Sequence, residues 1–123
     1  MADSEALIQK QVRLEAAQKG MILWRNNSGT AFDASGNFFR FGLANDSGKM
    51  NKTIKSSDLI GIRPVVVTQD MVGKTLGLFV AKEVKRGDWE FKGTEREQAQ
   101  LKFIELVRSM GGEADFVKEV GTL

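Results

Sequence analysis

The stretch that decides the reading of this chain is Gly77-Leu78-Phe79-Val80-Ala81-Lys82-Glu83-Val84-Lys85. An apolar run of this length, charged only towards its end, reads as a strand over Gly77–Val84. Leu78, Phe79, Val80, Ala81 and Val84 predict burial on both faces, as in a central strand. Side chains alternate along a strand, so Glu83 and Lys85 share one face while Leu78, Val80 and Val84 point the other way, into a core. A carboxylate and an ammonium side by side near a strand end is what metal-dependent phosphodiester hydrolysis uses. The carboxylate binds Mg²⁺, and the lysine orients or helps deprotonate the attacking water and balances the developing charge. Asp58, in Asp58-Leu59-Ile60-Gly61, supplies a second carboxylate if its strand lies alongside. Mg²⁺ favours a few carboxylates plus water and substrate phosphate over a full protein cage.

Each of these residues also has a plainer reading. Asp58 can cap a turn, and Glu83 and Lys85 can form a same-face ion pair worth under ~1 kcal/mol. The apolar flank of Val80, Ala81 and Val84 favours the functional reading, because a lone surface pair fits a central strand poorly.

Working outward, residues 4–19 predict a helix: Ser4 caps it, Ile8, Val12 and Ala16 form its apolar stripe, and Gly20 suits the left-handed position after its end. Met21–Trp24 reads as a short buried strand stopped by the turn cluster 26–29. Phe38–Phe41 reads as one arm of a hairpin, with its phenylalanines and Trp24 assigned to packing rather than to base stacking. Residues 44–57 predict a loop, the most basic stretch of the chain, carrying Lys49, Lys52 and Lys55. Strands follow near Asp58–Ile62 and Val65–Thr68, separated by Pro64. Thr94 and Glu97 form a capping-box signature for a helix that runs to Met110 and stops at Gly111-Gly112, and Ala114–Val120 predicts a closing strand. The order gives an α/β fold with a small central mixed sheet flanked by helices, in one domain over residues 1–123.

Composition narrows the chemistry. Of 123 residues none is cysteine and none is histidine, which removes the ordinary zinc ligands and histidine-based nucleophilic catalysis. An enzyme built from this chain must work with carboxylates, lysines, hydroxyls, amides and a hard cation. The net charge of +2 is mild. It is compatible with nucleic acid without being diagnostic. No apolar run is long enough to span a bilayer, and the first residues carry no secretion pattern, so no membrane association and a reducing, cytoplasmic location are expected.

The segments Asp58-Leu59-Ile60-Gly61, Glu83-Val84-Lys85 and Gln100-Leu101-Lys102-Phe103, the last leading to Gly111-Gly112, resemble the virus-type replication-repair nuclease (VRR-NUC) domain, a branch of the PD-(D/E)XK nuclease superfamily. The resemblance covers nearly the whole chain. It rests on the order and placement of these segments, not on any single one. It implies a restriction-endonuclease-like core and a Mg²⁺- or Mn²⁺-dependent DNA endonuclease of repair type. The implied substrate is branched DNA such as a Holliday junction, and the implied state is a homodimer, whose twofold axis matches a four-way junction. A bacterial or virus-encoded protein is the implied source.

Carried over by residue, Asp58, Glu83 and the Val84 backbone carbonyl hold the metal, with Glu5 as a further acidic candidate from the first helix. Lys85 and Gln100 complete the catalytic set. Where many members have Arg-Pro before the aspartate, Ser56 and Ser57 stand here, so no arginine is carried over to contact phosphate at that point. Lys49, Lys52, Lys55 and Arg86 are the candidate DNA contacts. Glu5 also has an independent explanation, since an acid in a first helical turn favours the macrodipole.

Gln98 competes with Gln100, and helical phase arbitrates. At about 100° per residue, Ala99, Phe103, Leu106, Val107 and Met110 share one apolar stripe. Gln100 lies at its edge, about 60° from Phe103, and Gln98 about 140° to the other side. Gln100 is therefore the expected site residue. The alternatives to a nuclease are a catalytically silent DNA-binding module of the same fold and an ordinary interaction domain with an accidental motif.

Overall fold

A computed structural model of the chain describes residues 2–121. Two units divide it, Met1–Gly61 and Ile62–Leu123. Among the described residues the strands form three two-stranded sheets in place of the single central sheet expected. The result is a small mixed α/β protein with short sheets and short helices.

In the first unit, α1 (Glu5–Gln18) starts where Ser4 Oγ accepts the Leu7 amide at 3.2 Å. It ends at Gly20, whose φ of 76° is the left-handed value that favours glycine. The amide of Met21 then donates to the Ala16 carbonyl at 3.0 Å, folding the chain back into β1 (Ile22–Arg25). Because the return begins at the last turn, the predicted stripe is buried only there. Ala16 is 3% exposed, whereas Ile8 and Val12 are 46% and 40% exposed.

β2 (Gly29–Phe32) and β3 (Phe38–Phe41) form an antiparallel hairpin in which Phe32 stands opposite Phe38. β2 is too short to show a period in the sequence, where Gly29 reads only as a turn residue. Phe38, Phe39 and Phe41, assigned to packing, are exposed: Phe38 meets Phe32 and the Arg40 guanidinium, and Phe39 meets Phe41.

The expected loop at 44–57 contains a helix, α2 (Gly48–Thr53), started by Ser47 Oγ accepting the Met50 amide. None of its residues is buried, so no apolar periodicity announces it. β4 (Leu59–Ile62) pairs with β1. Their approach at Gly61 is so close that any Cβ there would run into the Ile22 carbonyl.

In the second unit, Val65–Thr68 is not a strand. Pro64 precedes it, its three valines are exposed, and Thr68 leads into a 3-10 turn, Gln69–Met71. β5 (Val80–Val84), α3 (Glu95–Ser109) and β6 (Glu113–Val117) form a parallel β-α-β unit, with Glu83 opposite Phe116 and Lys82 opposite Asp115. β5 starts later than predicted, and β6 ends earlier. A helix must cross between parallel strands, and α3 does so over the Ala81–Glu83 face. Among the described residues Ile62, Ile104, Val107 and Ala114 are the buried hydrophobic residues of this unit. The burial expected on both faces of β5 is found only in part: α3 covers the Ala81–Glu83 face, while Val80 and Val84 on the other face, and Leu78 before the strand, are exposed. No helix among the described residues is long and apolar enough to cross a membrane.

Candidate active site

Strand alternation and the β-α-β crossover together bring Glu83, Lys85 and Gln100 into one hydrogen-bonded group. Lys85 lies just beyond β5, and its amide extends the ladder by donating to the Val117 carbonyl at 2.8 Å. Its Nζ donates to Gln100 Oε1 at 2.7 Å, and Gln100 Nε2 donates to Glu83 Oε1 at 2.9 Å. The direct Lys85–Glu83 approach is longer, 3.7 Å. The amide therefore bridges the two charges. The Lys85 side chain is 15% exposed and that of Glu83 39%, so the cation is held inside while the carboxylate keeps an open side.

The phase of α3 differs from the one the apolar residues suggest. Glu97, Ile104 and Val107 are buried at 7%, 3% and 0% exposure, whereas Phe103 and Leu106 are 41% and 37% exposed. The buried face thus runs through Gln100 and Leu101 rather than through Ala99 and Phe103. Gln100 lies within it, not at its border. Leu101, Ile104 and Val107 supply its apolar packing, and the same face turns the Gln100 amide towards Glu83 and Lys85. Gln98 is exposed, and its Nε2 folds back onto the Gly93 carbonyl at 2.7 Å.

Three further residues, Trp89, Phe116 and Glu97, support this group, and of these only Glu97 has a sequence signal, as a cap. Lys85 Nζ lies 5.6 Å from the ring centroid of Trp89 and 5.8 Å from that of Phe116, both within cation–π range. Trp89 Nε1 donates to Glu97 Oε2 at 2.7 Å. Glu97 Oε1 accepts the amides of Lys92 and Thr94, so its role extends beyond the predicted capping box. The Thr94 amide, together with those of Lys92 and the Trp89 indole, holds the Glu97 carboxyl at about 2 against an opposing effect of burial. In the sequence only the capping-box spacing of Glu97 is visible; Trp89, four residues after Lys85, carries no signal.

Lys82, on the opposite face of β5, has a structural role. It binds Glu113 at 3.0 Å and Asp115 at 3.1 Å on β6, and the Glu113 contact, then that of Asp115, raises its affinity for the proton.

The other candidates are placed as follows. Asp58 immediately precedes β4 with an exposed side chain, and its backbone carbonyl accepts the Asn26 amide at 2.8 Å. Asn26 Nδ2 also donates to Ser56 Oγ and the Ser57 carbonyl, both at 2.9 Å, so the two serines anchor the approach to Asp58. Asn26, a turn former by residue type, thus ties β1 to the segment before β4. Glu5 is exposed in the first turn of α1. Lys49 and Lys52 lie on α2, with Lys55 beyond it donating to Asn51 Oδ1 at 2.7 Å. Arg86 pairs with Asp88 at 3.4 Å on an exposed surface. Asp58, Glu5 and the three lysines belong to the first unit, and Glu83, Val84, Lys85, Arg86 and Gln100 to the second. Among the described residues no three acidic side chains gather as a metal site.

No family model, no curated protein and no solved structure matches this chain.

Proposed function

We propose that this protein is a Mg²⁺- or Mn²⁺-dependent DNA endonuclease with a PD-(D/E)XK-type site, acting on branched DNA as a homodimer. The observation that carries the reading is the bridge of Gln100 between Glu83 and Lys85. The donor set suits a hard cation: Glu83 Oε1 is taken by Gln100, which leaves the second oxygen on a partly open carboxylate, and oxygen is the ligand such ions prefer. Glu83 and the Val84 carbonyl would hold the ion, with water and substrate phosphate completing its shell. When bound, it supplies Lewis-acid polarisation of the phosphate and acidifies its water.

The residues of the chain do the rest. Gln100 orients the Glu83 carboxylate by occupying one oxygen. It also takes one of the three Lys85 N–H bonds, which leaves the ammonium directed and still positive. A fixed positive group beside the scissile phosphate stabilises the charge that builds on its oxygens as water attacks. A module that only binds DNA has no use for a carboxylate next to its lysine, since a negative group repels the backbone it must hold. That argument favours catalysis over silent binding. The branched substrate, the dimer and a role in DNA repair follow from the VRR-NUC resemblance.

Labelled four-way junction and linear duplex, each incubated with the protein in Mg²⁺ and in EDTA, test the proposal. Metal-dependent nicking that favours the junction is expected. A shifted band that is never nicked would leave the binding module, and neither cutting nor a shift would leave the interaction domain.

A further inference from the structure

Lys85 has polar partners on one side and two aromatic rings on the other. The rings of Trp89 and Phe116 lie 4.8 Å apart with a tilt of 37°, so they form one continuous wall. Phe91 closes against both, at 6.2 Å and 6.0 Å. The wall is anchored at each end. Phe116 is set by the β6 register opposite Glu83, and the Trp89 indole is tied to Glu97 at the start of α3. A line of fixed contacts therefore runs from the α3 cap through Glu97 and Trp89 to the ammonium.

We propose that Trp89 is the positioning residue for Lys85, its indole backed by Phe116 and pinned by Glu97 so that the ammonium stays beside Glu83 and Gln100. The inference rests on the nuclease reading. Lysine brings a flexible four-carbon stem to a task that tolerates little misplacement. A ring attracts the cation through its quadrupole while leaving its full charge for the phosphate. A second carboxylate in the same place would fix the lysine equally well but would neutralise it and repel DNA. Stacking on a nucleobase is the other natural use of an aromatic residue beside a cleft bearing Arg86 and Lys92. Phe116 and the Lys85 ammonium already lie against the Trp89 ring, which favours positioning.

Trp89→Leu removes the ring, and Trp89→Phe keeps a ring but loses the bond to Glu97. Single-turnover cleavage of saturating junction in Mg²⁺ should fall between about 10- and 100-fold for Trp89→Leu, and much less for Trp89→Phe. Junction affinity in Ca²⁺ should not change. Independently of cleavage, NMR of lysine-labelled protein should show Lys85 side-chain protons shifted upfield by the rings, assigned by their loss in Lys85→Met. The shift should collapse in Trp89→Leu and persist in part in Trp89→Phe. If Trp89→Leu does not fold, Phe116→Leu takes its place with the same expectations. Unshifted Lys85 protons in the parent, or parental cleavage by the Leu variant, would overturn the positioning role alone. A parent protein that cuts no DNA would overturn the nuclease reading, and the positioning role with it.

Discussion

Lys85 and Gln100 meet through a 2.7 Å hydrogen bond in which only the amide oxygen can take part. An ammonium donates and never accepts, and an ionised carboxylate accepts and never donates. With Lys85 on one end and Glu83 on the other, the orientation of the Gln100 amide is set by its partners. No other uncharged side chain of this length offers both an acceptor and a donor at its tip. Asparagine is one methylene shorter, and glutamate would present oxygen to oxygen at Glu83.

The first prediction follows from that bridge. Gln100→Ala should lower single-turnover cleavage about tenfold or more, since it frees both charged partners, and Gln100→Glu should be worse because it sets two carboxylates against each other. Gln98→Ala loses only an exposed contact to the Gly93 carbonyl. It should stay within about 0.5 kcal/mol of the parent in stability and should cut normally. Cleavage assays paired with thermal melting read both effects, and a critical Gln98 with a silent Gln100 would refute the site.

Metal removal provides the second. Cutting should stop in excess EDTA, return with Mg²⁺ or Mn²⁺, and fail in Ca²⁺ while DNA binding persists, since oxygen ligands accept all three ions but the chemistry tolerates geometry poorly. Lys85→Ala should bind junction in Ca²⁺ almost as the parent does, because it removes one of 18 basic groups, while its cleavage falls sharply. Glu83→Ala should lose metal-dependent activity in the same way. Parental rates in the Lys85 variant would show that the site lies elsewhere.

The third concerns acid stability. Glu97 titrates at about 2 in the folded chain against an ordinary 4.5, so it binds fewer protons folded than unfolded between those values. Its contribution is fully present above pH 4.5 and is lost as pH falls towards 2. Glu97→Gln should therefore lower the urea midpoint at pH 7, and the gap from the parent should narrow at pH 3. An equal gap at both pH values would mean that the carboxylate charge contributes nothing.

The fourth is a packing test in the first unit. A Cβ at Gly61 has no room beside the Ile22 carbonyl, so Gly61→Ala must push β1 and β4 apart. A loss of about 1–3 kcal/mol is expected, the usual cost of overpacking. Gly36→Ala, in an open turn, costs only the strain of its φ of 82° and serves as the control. Equal melting temperatures for the Gly61 variant and the parent would contradict the close approach.

Local signals in the sequence were sufficient for the ends of the two long helices and for the alternation of β5. The Ser4 cap and Gly20 bound α1, Thr94 and Glu97 open α3, and the alternation of β5 puts Glu83 and Lys85 on one face. These depend on backbone geometry within a few residues, and residue type alone specifies them. The α2 helix escaped notice because a Ser47 cap holds it without burying a single residue, leaving no period to read.

Contacts between segments distant in sequence were decided only by the tertiary structure. Apolar residues at helical spacing name a stripe, but which stripe is buried depends on what docks against it. On α3 the face that packs is the one carrying Leu101, Ile104 and Val107, with Glu97 and Gln100 on it, and Phe103 and Leu106 lie outside it. The run Gly77–Val84 has the apolarity of a central strand, yet α3 packs on the Ala81–Glu83 face and Val80 and Val84 on the other face are exposed, since hydrophobicity says nothing of which layers come to cover a strand. The aromatic wall at Lys85 was beyond sequence for the same reason. Phe116 comes to the ammonium through a parallel register that α3 must cross to create, and no local rule encodes that meeting.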